Sequence, residues 1–155
     1  MINYTGKSVG YDFGLKTFLT SSDYNDITSP LYLLNNIDKL KKLSRNFSKK
    51  QKGSNNANRA RLRLARLHKK ISNQRLDFIH KTALNIIKNY DKIYFETLDL
   101  KALQRRFGRK INDLSFNNFI DILEQKANVY HKQVIFRDKF FPSSKICNVC
   151  GYKND

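Results

Sequence analysis

Four side chains carry most of the chemistry that this 155-residue chain can offer: Asp12, Glu96, Cys147 and Cys150. Asp12 lies in Val9-Gly10-Tyr11-Asp12-Phe13-Gly14-Leu15-Lys16-Thr17-Phe18-Leu19-Thr20, which reads as a strand, a tight turn at Gly14 and a second strand. An acid near a strand end has two chemical uses. It can hold a divalent metal beside a scissile phosphate, or it can face the phosphates of a bound nucleotide. Aspartate next to glycine is also ordinary turn chemistry. Glu96 closes an apolar run, where an unpaired charge is costly. A bound cation or an exposed strand end relieves that cost. If the strands bearing Asp12 and Glu96 are parallel neighbours, the two carboxylates converge at one edge of a sheet. Mg²⁺ suits such a pair because it takes few carboxylates and keeps several waters.

The cysteines stand in Cys147-Asn148-Val149-Cys150-Gly151. Two thiolates at this spacing, followed by glycine, form the usual first half of a zinc knuckle. A structural zinc needs four ligands, and the chain has no other cysteine. His68, His80 and His131 fall on predicted helices or their ends. A redox role fits less well, because the pair does not open a helix after a strand.

The elements that must position these residues follow from periodicity. Residues 2–11 and 15–21 predict a hairpin, and a third short strand is expected around 31–34. Ile37, Leu40, Leu43 and Phe47 then recur at helical steps. Residues 51–56 break the pattern, and a second helix is expected from about 58 to 90. Its stripe runs through Ala60, Leu64, Leu67 and Ile71, then Leu76, Ile79, Ala83, Ile86 and Tyr90. Together these make a long helical hairpin over 36–90. Residues 91–96 read as a buried strand, and 105–110 as a basic loop. Ser115 is placed to cap a helix whose apolar face is Phe116, Phe119, Ile120, Leu123, Ala127 and Tyr130. Residues 133–138 read as a last strand. The order predicts a mixed α/β sheet with the first and fourth strands adjacent.

The hairpin carries the charge. From Lys39 to Leu76 there are 14 Lys or Arg and no Asp or Glu. Such a run repels itself and is stabilised by a polyanion. Lys49, Lys50, Arg59, Arg61, Arg63, Arg66, Lys69 and Lys70 are the candidate phosphate contacts, with Arg105 and Arg106 in a second patch. These contacts give affinity and register rather than sequence reading. The net charge of +17 points the same way. No apolar run approaches a membrane span, and the first residues lack a signal-peptide pattern. An intracellular, cytoplasmic and reducing setting is expected.

With these residues in view, the chain resembles the RuvC-type nuclease region of the TnpB (OrfB) proteins of insertion sequences, RNA-guided DNA nucleases related to type V CRISPR effectors. The resemblance rests on residues 12–18, 71–81, 94–101 and 140–151, in the family's order and spacing. It implies an RNase H-like fold, with a RuvC-like domain over 1–139 and the first half of a zinc-ribbon, target-nucleic-acid-binding segment over 140–155. It carries the family's first catalytic Asp onto Asp12 and its catalytic Glu onto Glu96. Mg²⁺ or Mn²⁺ at these acids and Zn²⁺ at Cys147 and Cys150 are the implied cofactors. DNA and a guide RNA are the implied partners, in metal-dependent phosphodiester cleavage.

The chain also departs from that pattern. The family's second cysteine pair and third catalytic acid would both lie past Asp155, and Asp138 does not match the latter's place. The expectation is a fragment truncated at both ends and impaired in cleavage, with a homo-oligomer or a separately encoded remainder as a further partner. The alternative is a non-catalytic nucleic-acid-binding module built on the basic hairpin. An actin-like ATPase would need a second glycine-rich phosphate loop, and six glycines without such a cluster do not provide it.

Overall fold

The computed structural model describes residues 2–96, 105, 108, 113–137 and 152. It shows a five-stranded mixed sheet of order β3-β2-β1-β4-β5. The strands are β1 (Ser8–Phe13), β2 (Thr17–Ser21), β3 (Ile27–Thr28), β4 (Lys92–Glu96) and β5 (Gln133–Arg137). β1 and β2 form an antiparallel hairpin, while β4 pairs in parallel with β1 on one side and β5 on the other. The expected adjacency of the first and fourth strands is therefore present.

The period of two in β1 sets the two faces of the sheet. Val9, Tyr11 and Phe13 are buried, and Asp12 is exposed. On β4 the same alternation buries Ile93 and Phe95 and exposes Glu96. The covered face packs against the second half of α3 (Asn55–Asn89) and against α4 (Phe116–Val129). Phe18, Phe95 and Phe119 are fully buried there. Phe13 ties the cluster together, with ring centroids 5.1 Å from Phe95 and 4.8 Å from Phe116. Offset and edge-on aromatic pairs at such distances add to the burial of their area.

Gly14 makes the first turn possible. A Cβ there would lie 2.6 Å from the Thr17 carbonyl oxygen, which no other residue tolerates without a shift of backbone. Its N–H donates to the Phe18 carbonyl at 3.3 Å.

The third strand departs from expectation. It lies at Ile27–Thr28, and the stretch proposed for it contains α1 (Tyr32–Asn35) instead. Two contacts explain the difference. The Asp26 carboxylate accepts the Ser21 N–H at 2.9 Å, closing the intervening loop so that Ile27 returns beside Leu19. Downstream, Asp113 accepts the N–H groups of Leu33 and Leu34 at 2.9 and 3.0 Å, which satisfies the open donors of a helical turn.

The hairpin is present as α2 (Ile37–Ser48) and α3. α3 begins earlier than expected because Ser54 caps it, its hydroxyl accepting the Ala57 N–H at 3.1 Å. α2 and the first half of α3 share a small core of Leu40, Leu67 and Ile71, separate from the sheet core. Leu76, placed on the apolar stripe from the sequence, is exposed. Four residues beyond Ile71 the inward position is taken by Arg75, and Ile79 follows. Ser115 stands at the N-cap of α4, but with φ 51 and without the side-chain capping bond.

A buried ion pair anchors the opposite end of the sheet. Lys132 Nζ donates to Asp91 and to the Asn3 carbonyl, the latter at 2.9 Å. Asp91 also accepts the Thr5 N–H at 2.8 Å, the Thr5 hydroxyl at 3.0 Å and the Gly6 N–H. Desolvation pushes the Asp91 carboxyl upward. The hydrogen bonds from Lys132, Thr5 and Gly6 outweigh it and hold the pKa down at about 2.

Candidate nuclease site and nucleic-acid interface

Asp12 and Glu96 meet on the exposed face of the sheet. The parallel register pairs Tyr11 with Phe95, so the next residue on each strand is Asp12 and Glu96. In-register residues on neighbouring strands lie about 4.8 Å apart across the sheet. Both acids line an open groove of about 570 Å³ with Gly10, Thr20, Tyr94 and Arg137. Thr20 is the antiparallel partner of Asp12. The groove lies on the face opposite the aromatic core, at the carboxyl ends of the parallel strands β1 and β4. Ligands of open α/β sheets bind beyond such ends.

Both carboxylates are exposed, so Glu96 has the exposed strand end that relieves its charge. Burial therefore does not demand a cation here; the juxtaposition does the chemical work. Two carboxylates this close repel, and a divalent ion offsets the repulsion. The oxygen-only donor set, open to water, suits Mg²⁺ or Mn²⁺. Among the described residues no cluster of three or more His, Cys, Asp or Glu is placed to hold a metal. Thr20 and Arg137 were not singled out in the sequence. The signal that finds them is strand register, available once the sheet order is known.

The basic residues of the hairpin other than Arg75 face solvent. Lys49, Lys50, Arg59, Arg61, Arg63, Arg66, Lys69 and Lys70 are all exposed on α2, α3 and their connection. Among the described residues, the ion pairs within the run from Lys39 to Arg75 are Lys41 with Asp38 and Arg75 with Asp113. Arg75 thus leaves the interface: it faces inward and serves structure. Lys41, Lys42, Arg45, Lys49 and Lys50 line a shallow groove along α2. Arg105 is exposed and helical rather than in a loop. Arg106, Asp138, Cys147 and Cys150 lie outside the described residues, as do Phe140 and Phe141. Among the described residues no helix is long and apolar enough to cross a membrane.

Comparison with known proteins identifies relatives of the chain. Residues 3–106 match the OrfB_IS605 family, described as a probable transposase. Residues 116–155 match the Cas12f1-like TNB domain. A Streptomyces pristinaespiralis protein with the name "Putative RNA-guided DNA endonuclease" is 33% identical over 95% of this chain and 37% of its own length. InsQ of Escherichia coli K12, named in the same way, is 31% identical over 67% of this chain and 26% of its own length. The TnpB-like protein L79 of Acanthamoeba polyphaga mimivirus is 26% identical over 99% of this chain and 32% of its own length. The chain spans roughly a third of the length of these curated relatives.

Proposed function

Because the chain belongs to the OrfB_IS605 family of probable transposases, the TnpB family, we propose that it carries the metal-binding half-site and the nucleic-acid-binding arm of an RNA-guided DNA endonuclease. The single observation that carries the reading is the placement of Asp12 beside Glu96 by the β1–β4 register. The sheet order, with an antiparallel hairpin beside parallel strands, supports a RuvC-type, RNase H-like domain over 1–139. The names of the relatives extend the proposal to DNA and a guide RNA as partners.

Asp12 and Glu96 would hold Mg²⁺ or Mn²⁺, which when bound supplies charge neutralisation at the phosphate and activation of water. The chain's own contribution is positional. The core pairs of Tyr11 with Phe95 and Phe13 with Phe95 fix the two strands, and the strands fix the two acids. The groove admits an extended backbone along the exposed face. The arm supplies phosphate contacts that hold the nucleic acid without reading its sequence. Cys147 and Cys150, within the stretch matching the TNB domain, would provide two of the four thiolates of a zinc site.

A second reading, a binding module without cleavage, is favoured by the arm's display of cations with few acidic partners. One experiment separates the two. Mn²⁺ binding and cleavage of plasmid and single-stranded DNA are measured for the chain and for Glu96→Gln. Mn²⁺ binding lost in the variant, with any cleavage lost in parallel, supports the nuclease site. Salt-sensitive DNA binding with no Mn²⁺ site leaves the binding module as the function.

A further inference from the structure

Another cavity, of about 540 Å³, lies between the β2–β3 loop and the last turns of α3. The loop supplies Asp23, Asn25 and Asp26 to its walls, and the helix supplies Asn85 and Asn89. Lys7 lines the same cavity and is exposed. The loop is held in place from below. The Tyr90 hydroxyl donates to Asp23, and Asp26 Oδ1 accepts the Ser21 N–H at 2.9 Å. Among the described residues no hydrogen bond takes the other Asp26 oxygen, Oδ2.

Tyr24 stands at the tip of this loop, between lining residues. It is 96% exposed and has φ 61, a left-handed conformation that is unusual for a bulky residue. Its N–H donates to the Ser21 carbonyl at 3.2 Å. The turn thus holds an aromatic ring out in water beside a polar pocket.

The walls select a class of ligand. Two carboxylates keep a phosphate out of the pocket itself. The C-terminal end of α3 adds partial negative charge, so groups rich in N–H are favoured. Unpaired bases are recognised by such a combination, with the edge hydrogen-bonded and a face stacked on an aromatic ring. Cytosine, adenine and guanine each carry an exocyclic amine that a carboxylate can accept, whereas the corresponding group of thymine or uracil is a carbonyl oxygen.

We propose that this pocket binds one unpaired, amine-bearing nucleobase of a single strand. Asp26 Oδ2 accepts the exocyclic amine, Tyr24 stacks on the adjacent base, and Lys7 takes the phosphate between them. The inference rests on the proposed nucleic-acid role of the chain. It is independent of cleavage and of the metal site.

The test is fluorescence anisotropy of labelled octacytidylate and octauridylate RNA, in EDTA, at several salt concentrations. The wild type should bind the cytidylate about tenfold more tightly, the worth of one hydrogen bond to a charged group. Asp26→Asn keeps an oxygen for the Ser21 N–H and presents an amide N–H₂ in place of Oδ2. It should abolish or reverse the preference. Tyr24→Ala should weaken both RNAs by about tenfold with the salt slope unchanged, and Tyr24→Phe should restore binding. Lys7→Gln should lower the slope by about 0.7, one single-strand phosphate. Arg63→Gln, on the arm, should weaken both RNAs equally and keep the preference. Equal binding of the two RNAs by the wild type, or a preference that survives Asp26→Asn, would overturn the inference. So would unchanged affinities in Tyr24→Ala. In those cases, binding that still depends on Arg63 leaves the nucleic-acid role standing on the arm alone. Absence of salt-sensitive binding to either RNA would remove that role and this pocket together.

Discussion

Arg75 Nε donates to Asp113 Oδ1 at 2.9 Å, with Nη2 2.8 Å from the same oxygen as an ion-pair contact, and the same carboxylate caps α1. The Asp113 side chain has no exposure to solvent, and that of Arg75 is 22% exposed. One carboxylate, just before α4, thus joins the basic arm to the sheet domain. Removing one partner of a buried pair strands the other, at a cost of about 3–5 kcal/mol. Arg75→Ala should fall near the lower end because water reaches the arginine. Asp113→Ala should cost more, since α1 also loses its cap. Urea unfolding of both variants checks the order; equal and small losses would show that the arm is held by its apolar packing alone.

The Asp91–Lys132 pair makes stability depend on pH in a defined window. The Asp91 pKa is depressed from its usual 3.8 to about 2. Its contribution is therefore complete above the unfolded value and is lost as pH falls through about 2. Asp91→Asn should flatten the loss of stability between about pH 4 and pH 2. Lys132→Met should raise the Asp91 carboxyl pKa, read by NMR titration. An unchanged titration would mean that Thr5 and Gly6 hold the carboxylate without help.

Phe119 is fully buried on α4 and meets Phe13, Phe18 and Phe95 at 6.1, 5.2 and 6.2 Å. Phe119→Ala should destabilise the chain by about 3–5 kcal/mol through lost transfer energy and the cavity left behind. The shift of the urea midpoint measures it. A loss below about 1 kcal/mol would mean that α4 collapses into the space.

Reversing charge at Arg59, Arg63 and Arg66 should weaken duplex DNA binding and lower the salt slope by about 0.9 for each phosphate that is no longer neutralised. Gel shifts at several salt concentrations give the slope. Binding that keeps its slope would place the nucleic acid elsewhere than on α3.

Much of the site was legible because it depends on regular strands. The alternation around Asp12 and the apolar run before Glu96 identify two strands by period alone, and parallel pairing brings their ends together. The basic arm was legible because helical periodicity and charge coincide over many residues. What escaped were pairings between residues far apart in the chain. Arg75 and Asp113 are separated by 38 positions and Asp91 and Lys132 by 41, and nothing local marks either pair. The two-residue β3 is too short for alternation to register, and a tertiary cap from Asp113 turned the expected strand into a helix. Arg137 and Thr20 needed the sheet order before their place beside the acids could be seen.

α3 runs unbroken from Asn55 to Asn89 and packs on the sheet core in its second half, from Phe78 onward. At 1.5 Å per residue the stretch from Arg75 back to Ser54 extends about 32 Å. A pivot near Arg75 and Asp113 would make it a lever. A rotation of about 5° at the fulcrum sweeps the tip through on the order of 3 Å for an arm of this length. The distance between whatever rests on the arm and the pair of Asp12 and Glu96 would thus be geared to the packing of a few residues at the pivot.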